Sequence, residues 1–178
     1  MTQEKRVALV TGASRGIGRA IAHELGRQGR IVIGTATSKS GAEKIDADLK
    51  ANGVEGAGMC LNVTDQASID EVLKTIGERF GAPTILVNNA GITRDNLLMR
   101  MKEEEWDSVM DTNLKSVYRV SKACLRGMTK ARFGRIVSIS SVVATMGNLG
   151  QTNYAAAKAG MEALAGRWRE RLLPVPLP

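Results

Sequence analysis

The 178-residue chain is 43% hydrophobic and 24% charged, the balance of one globular domain with a real core. Its net charge is +7, yet Lys and Arg are scattered and aromatics make up only 3%; no zinc-finger, basic-zipper or RNA-binding signature occurs, which argues against nucleic acid and for anionic cofactors or acidic partners. No apolar run spans a membrane, no signal-peptide pattern precedes the first strand, and Cys60, Cys124 and the single His23 have no metal or redox spacing, so a cytoplasmic, metal-free protein is expected.

Short apolar runs alternate with helical stretches. The first strand is expected over 6–10 and a helix from 16 to about 28, ended by Gly29. A second strand follows at 30–34 and a helix at 40–51. The third strand is placed at 57–62. Ile69, Val72, Leu73, Ile76 and Phe80 repeat at helical period within 65–80. The fourth strand covers 84–88, a long helix runs from 103 to about 128, the fifth strand covers 135–140, and a last helix starts at Asn153. This β-α-β-α order implies an α/β fold: a Rossmann-like, doubly wound parallel sheet with helices on both faces. Ligands of such sheets bind beyond the C-terminal strand ends, so the loops there hold the candidate site.

After the first strand comes Thr11-Gly-Ala-Ser-Arg-Gly-Ile-Gly18, of form T-G-x-x-x-G-x-G. Glycines between a first strand and first helix let backbone approach a pyrophosphate, and the helix N-terminus adds a favourable dipole. Gly12, Ser14, Arg15, Gly16, Ile17 and Gly18 are therefore cofactor-binding candidates. After the second strand, Gly34-Thr-Ala-Thr-Ser38 has no carboxylate for a ribose 2′-hydroxyl. Arg15 with Thr37 and Ser38 suits a 2′-phosphate, which points to NADP rather than NAD. Asn62 and Val63 are candidates for the adenine edge. In Asn88-Asn-Ala-Gly91, bracing of strand four competes with cofactor contact for Asn88, whereas Asn89, Ala90 and Gly91 have the better claim to the cofactor side.

The fifth strand ends in Ser138-Ile-Ser-Ser-Val142, where a hydroxyl such as that of Ser141 could hydrogen-bond a substrate carbonyl. Strand alternation would put Ser138 and Ser140 on one face, Ile139 and Ser141 on the other. Then comes Asn153-Tyr-Ala-Ala-Ala-Lys158. Four residues apart on a helix, Tyr154 and Lys158 share a face. A nearby ammonium favours the phenolate, and an acid works best with its pKa near the working pH. The pair reads as a tuned proton donor. Taken alone, Tyr-x-x-x-Lys is a weak motif that recurs by chance.

Together these motifs, with Leu61-Asn-Val-Thr-Asp65, Asp111-Thr-Asn113 and Gly134-Arg-Ile-Val137, resemble the short-chain dehydrogenase/reductase family over about 6–162. Ile92-Thr-Arg-Asp-Asn-Leu-Leu-Met99 and Gly147-Asn-Leu-Gly-Gln151 resemble its branch of 3-oxoacyl reductases acting on acyl-carrier protein. The resemblance implies that Tyr154 donates the proton and that Lys158 lowers the tyrosine pKa and binds the nicotinamide ribose. Ser141 would hydrogen-bond the carbonyl oxygen. For Asn113 it implies a water that relays protons to Lys158, with a buried bracing amide as the competing reading. It also implies NADPH as cofactor, fatty acid biosynthesis as setting, a homotetramer, and acidic acyl-carrier protein as partner. Lys130, Arg132 and Arg135 are a candidate docking patch for that partner or a plain solvated face. Acetoacetyl-CoA or polyketide ketoreduction, or an inactive nucleotide-binding fragment, are the alternatives.

The expected layout is an NADP-binding domain over 1–162 and an atypical tail over 163–178, whose prolines at 174, 176 and 178 oppose a further strand. The resemblance implies later strands that the tail does not show, so the C-terminal strands of the family fold are expected to be missing. Strand five would then lie at a sheet edge.

Overall fold

The computed structural model describes residues 5–171, with side chains through residue 166. The tail prolines fall outside the described residues. The fold divides into two compact units, Met1–Ala90 with Tyr118–Val137, and Gly91–Val117 with Ser138–Pro178.

The first unit is built on a sheet of order β3-β2-β1-β4-β5, with β1 at Val7–Val10, β2 at Ile31–Ala36, β3 at Gly56–Cys60, β4 at Ile85–Asn88 and β5 at Arg135–Ser138. The β1–β2, β2–β3 and β1–β4 pairs are parallel; the helices after β1 and β2 make the first two crossovers, and the helix after β3 returns the chain to β4 beside β1. The order 3-2-1-4-5 is that of a Rossmann-like sheet. β1 is central because Val7, Ala8, Leu9 and Val10 are apolar on both faces, and all four are buried. Helices α1 (Gly16–Arg27), α2 (Lys39–Ala51) and α3 (Gln66–Arg79) follow the first three strands. The helical period read in the sequence is the packed face of α3: Ile69, Val72 and Ile76 are buried against Leu9, Ile33 and Leu86. Helix α5 (Ser116–Ala131) adds Val120, Cys124 and Met128 to the same core. Burial pushes the Cys124 thiol up to about 12, so it is an inert apolar filler.

The strand expected over 135–140 stops at Ser138, and the alternation inferred for Ile139, Ser140 and Ser141 stops with it. The Ile139 carbonyl accepts from Lys158 Nζ, a side-chain donor in place of a strand partner, and the Ser140 hydroxyl donates to Glu162. Among the described residues β5 is the last strand on that side of the sheet, and Val137 is 49% exposed on it.

In the second unit, the helix expected over 103–128 is not one α-helix. Helix α4 (Glu103–Met110) passes through a π-helical turn, Asp111–Lys115, before α5 begins. Such a turn bulges one residue out of the helical ladder and often marks a functional position. The bulge carries Asn113, which is fully buried. A short helix α6 (Val143–Met146) and the long α7 (Thr152–Arg171) complete this unit.

His23 of α1 lies 2.6 Å from Asp48 of α2, whose other oxygen pairs with Arg19 at 2.7 Å. His23 thus serves to pack α1 on α2. The Arg19 guanidinium, then His23, hold the Asp48 carboxyl well below the usual carboxylate range. A depressed carboxylate pKa stabilises the fold above the unfolded-state value, and that stabilisation is lost as pH falls through the folded value. Asp48→Asn should lower Tm at pH 7 by ~3 °C, and the gap from the parent should close as pH drops below ~4. Thermal melts across that range check this; a gap independent of pH contradicts it.

Candidate functional site

The glycine turn after β1 has the form a dinucleotide needs. Gly12 has φ +65°, and a side chain there would press on the Ala90 backbone. A Cβ at Gly18 would lie 2.2 Å from the Gly12 carbonyl oxygen, so the first turn of α1 can sit this close to the loop only with glycine there. Ser14, Arg15, Gly16 and Ile17 between them are exposed, and Ile17 is 61% exposed at the N-terminus of α1. Thr11 and Asn89 hold the turn shut. The Thr11 hydroxyl accepts from the Asn89 and Ala90 amides at 3.1 and 3.0 Å, and Asn89 Nδ2 donates to the Thr11 and Gly12 carbonyls at 3.1 and 2.9 Å. Asn89 thus braces the cradle with its side-chain NH2. The buried Thr11 is an anchor that the glycine spacing alone does not reveal.

At the end of β2, Thr37 is exposed and its carbonyl accepts from Cys60 Sγ at 3.3 Å. Ser38 caps α2 by accepting from the Gly41 amide at 3.1 Å, so its hydroxyl is partly committed. After β3, Asn62 Oδ1 accepts from the Thr64 amide and hydroxyl, while Val63 is buried in the core and can meet a ligand only through its backbone. Asn88 Nδ2 donates to Ser121 on α5 at 3.2 Å, which favours the bracing reading. This unit contains the glycine turn, an exposed arginine within it and a strand end without carboxylate. The residues fit NADP: backbone and a helix N-terminus for the pyrophosphate, and Arg15 with Thr37 for a 2′-phosphate.

The second unit holds Gly91, Asn113, Ser141, Tyr154 and Lys158. Asn113 Oδ1 accepts from the Ile92 amide and its Nδ2 donates to the Ile92 carbonyl, both at 2.8 Å. The side chain therefore pins the segment after Gly91, and a Cβ at Gly91 would sit 3.2 Å from Asn113 Oδ1. Asn153, buried at the start of α7, donates to the Arg94 and Glu105 carbonyls at 2.9 and 3.2 Å and accepts from the Tyr154 amide at 2.8 Å. Gln151 bonds both Asp95 oxygens, and the Asn96 amide donates to the Gly150 carbonyl. These polar ties set the start of α7, and all but the Asn153–Tyr154 bond join residues far apart in the chain, which is why the sequence alone does not show them.

Lys158 is 4% exposed, with Nζ 5.5 Å from the Tyr154 ring centroid and 2.7 Å from the Ile139 carbonyl oxygen. An ammonium has three donors, so two remain beyond the Ile139 bond. Burial holds its pKa below the ordinary 10.5. The Ser141 hydroxyl oxygen accepts from the Val143 amide at 3.2 Å, which leaves its own O–H to donate elsewhere. The same spacing occurs again in Tyr118-Arg-Val-Ser-Lys122, where Lys122 donates to the Tyr118 hydroxyl at 3.1 Å. There the phenol is 46% exposed and the lysine is solvated. Spacing makes both pairs; burial of the lysine distinguishes them.

The family model for short chain dehydrogenases matches residues 6–175. The chain belongs to the short-chain dehydrogenase family. It is 67% identical over 162 residues to a 3-oxoacyl-[acyl-carrier-protein] reductase of Pseudomonas aeruginosa, a match covering 91% of this chain and 66% of that one. The reductases of the same name from Vibrio cholerae and Escherichia coli are 65% and 63% identical over 161 residues, each match covering 90% of this chain and 65% of the relative. The chain thus spans just under two-thirds of the length of these curated relatives. Among the described residues no helix is long and apolar enough to cross a membrane, and no His, Cys, Asp and Glu cluster could hold a metal ion.

A lysine whose pKa falls on folding makes the unfolded state bind more protons, so stability rises with pH between the folded value and 10.5. Lys158→Met should remove that rise and raise stability at pH 7 by about 1 kcal/mol. Denaturant titrations from pH 7 to pH 10 check this. A variant less stable than the parent throughout would contradict it.

Proposed function

We propose that the chain carries the ketoreductase chemistry of its relatives: NADPH-dependent reduction of a 3-oxoacyl group on acyl-carrier protein to the 3-hydroxyacyl form, in cytoplasmic fatty acid biosynthesis. The observation that carries the reading is the buried Lys158 ammonium beside Tyr154, a phenol's natural activator placed where water does not screen it.

NADPH, when bound, supplies the hydride that reduces the 3-oxo carbon. Tyr154 gives its hydroxyl proton to the carbonyl oxygen as charge develops there. Lys158 stabilises the phenolate left behind, and its remaining N–H donors suit the ribose hydroxyls. The O–H of Ser141, left to donate by the Val143 bond, serves as a second hydrogen bond to the developing oxyanion. Asn113 fixes the backbone at Ile92, and a water held on its main chain would resupply the proton. Exposed Lys130, Arg132 and Arg135 offer an acidic carrier a cationic landing face.

The test follows NADPH consumption with an acetoacetyl thioester, alongside NADPH and NADH binding titrations. The expected result is turnover, with NADPH bound more tightly than NADH. Tyr154→Phe should cut turnover by about 10²–10⁴-fold with NADPH affinity unchanged. Tight NADPH binding without turnover would leave a nucleotide-binding protein and overturn the proposal.

A further inference from the structure

Tyr154, Lys158 and Glu162 follow one another at four-residue steps on α7, so all three lie along one stripe of the helix. Tyr154 and Lys158 have roles in the reading above; Glu162 has none. Its Oε1 accepts from the Ser140 hydroxyl at 2.5 Å, the short end of the range for a hydroxyl on a carboxylate. One turn earlier, Lys158 Nζ donates to the Ile139 carbonyl at 2.7 Å. The two side chains thus grip two consecutive residues, and the next residue is Ser141. Downstream, the Ser141 hydroxyl and carbonyl oxygens accept from the Val143 and Ala144 amides at 3.2 and 3.0 Å. Ser141 is therefore fixed on its C-terminal side by the first turn of α6 and on its N-terminal side by α7. Among the described residues Glu162 makes no ion pair with Lys158, so its carboxylate acts on the hydroxyl and not on the ammonium.

We propose that Glu162 is a positioning residue for this reaction: through Ser140 it sets the peptide leading into Ser141 against the helix that presents Tyr154 and Lys158. The proposal rests on the ketoreductase reading of those three residues. Without Glu162, the side-chain grip of α7 on this segment rests, among the described residues, on the Lys158 bond, and rotation after Ile139 carries the Ser141 hydroxyl out of line. A small misplacement of an oxyanion donor costs rate rather than binding. Gln keeps an acceptor oxygen at the same reach, so it should support Ser140 where Ala cannot.

The test compares Glu162→Ala, Glu162→Gln, Ser140→Ala and the Ser140→Ala/Glu162→Ala double variant in the full chain. For each, kcat and KM for an acetoacetyl thioester, NADPH affinity and hydrogen exchange at Val143 and Ala144 are measured. Each alanine variant should lower kcat by about tenfold and speed exchange at both amides by about tenfold. NADPH affinity should stay within about twofold, Gln should restore most of kcat, and the double variant should be no worse than either single one. Additive losses, a matching loss of NADPH affinity, or no rescue by Gln would overturn the proposal. Should the parent itself show no turnover, the function reading fails on its own, and exchange decides the positioning claim: unchanged Val143 and Ala144 rates would overturn it.

Discussion

The Lys158 ammonium is withdrawn from water on α7 and donates to the Ile139 carbonyl. Taking a charge out of water is unfavourable, and one carbonyl offsets that only in part, which is why the lysine sits below its ordinary pKa. Much of the second unit follows from this arrangement. The Ile139 carbonyl is claimed by a side chain, so β5 ends at Ser138 and the chain turns into α6. Ser141 then lies in a turn held by α6, with its O–H available. Tyr154 stands one helical turn from a charge that solvent screens poorly. Tyr118 and Lys122 have the same separation without this burial, and they form an ordinary solvated contact on α5.

The cofactor candidates solve a different problem with backbone. Thr11 and Asn89 spend their polar atoms tying the loop after β1 to the loop after β4, so Gly12 and Gly18 can bring two main-chain segments into contact. Side chains brace the turn, and residues 14–17 stay exposed on it. Asn113 repeats the device in the second unit, where a π-helical turn presents its amide to both polar groups of Ile92. In each case a buried amide or hydroxyl satisfies main-chain groups that no regular element would pair.

The sequence made the sheet readable because its strands are short apolar runs and α3 repeats its apolar residues at helical period. The glycine turn was readable for the same local reason. The π-helical turn was not, since Asn113 acts on a residue 21 positions away and leaves no mark on periodicity. Ile139 and Ser140 suit a strand by composition, so the sequence alone does not mark the end of β5 at Ser138; the bond from Lys158 of α7 to the Ile139 carbonyl is a long-range contact. Tyr154 and Lys158 were visible as a spacing, but the spacing is shared with Tyr118 and Lys122. Burial, a tertiary property, separates the two pairs.

The central claim is that Lys158 is a desolvated cation, and its own titration tests that most directly. Lysine ¹³Cε shifts followed by NMR against pH, with the Lys158 signal assigned by its loss in Lys158→Arg, would give the midpoint. The account predicts a midpoint below 10.5. A midpoint at or above that value would mean that Lys158 is solvated or paired with a carboxylate, and the physical basis assigned to the Tyr154–Lys158 pair would fall with it.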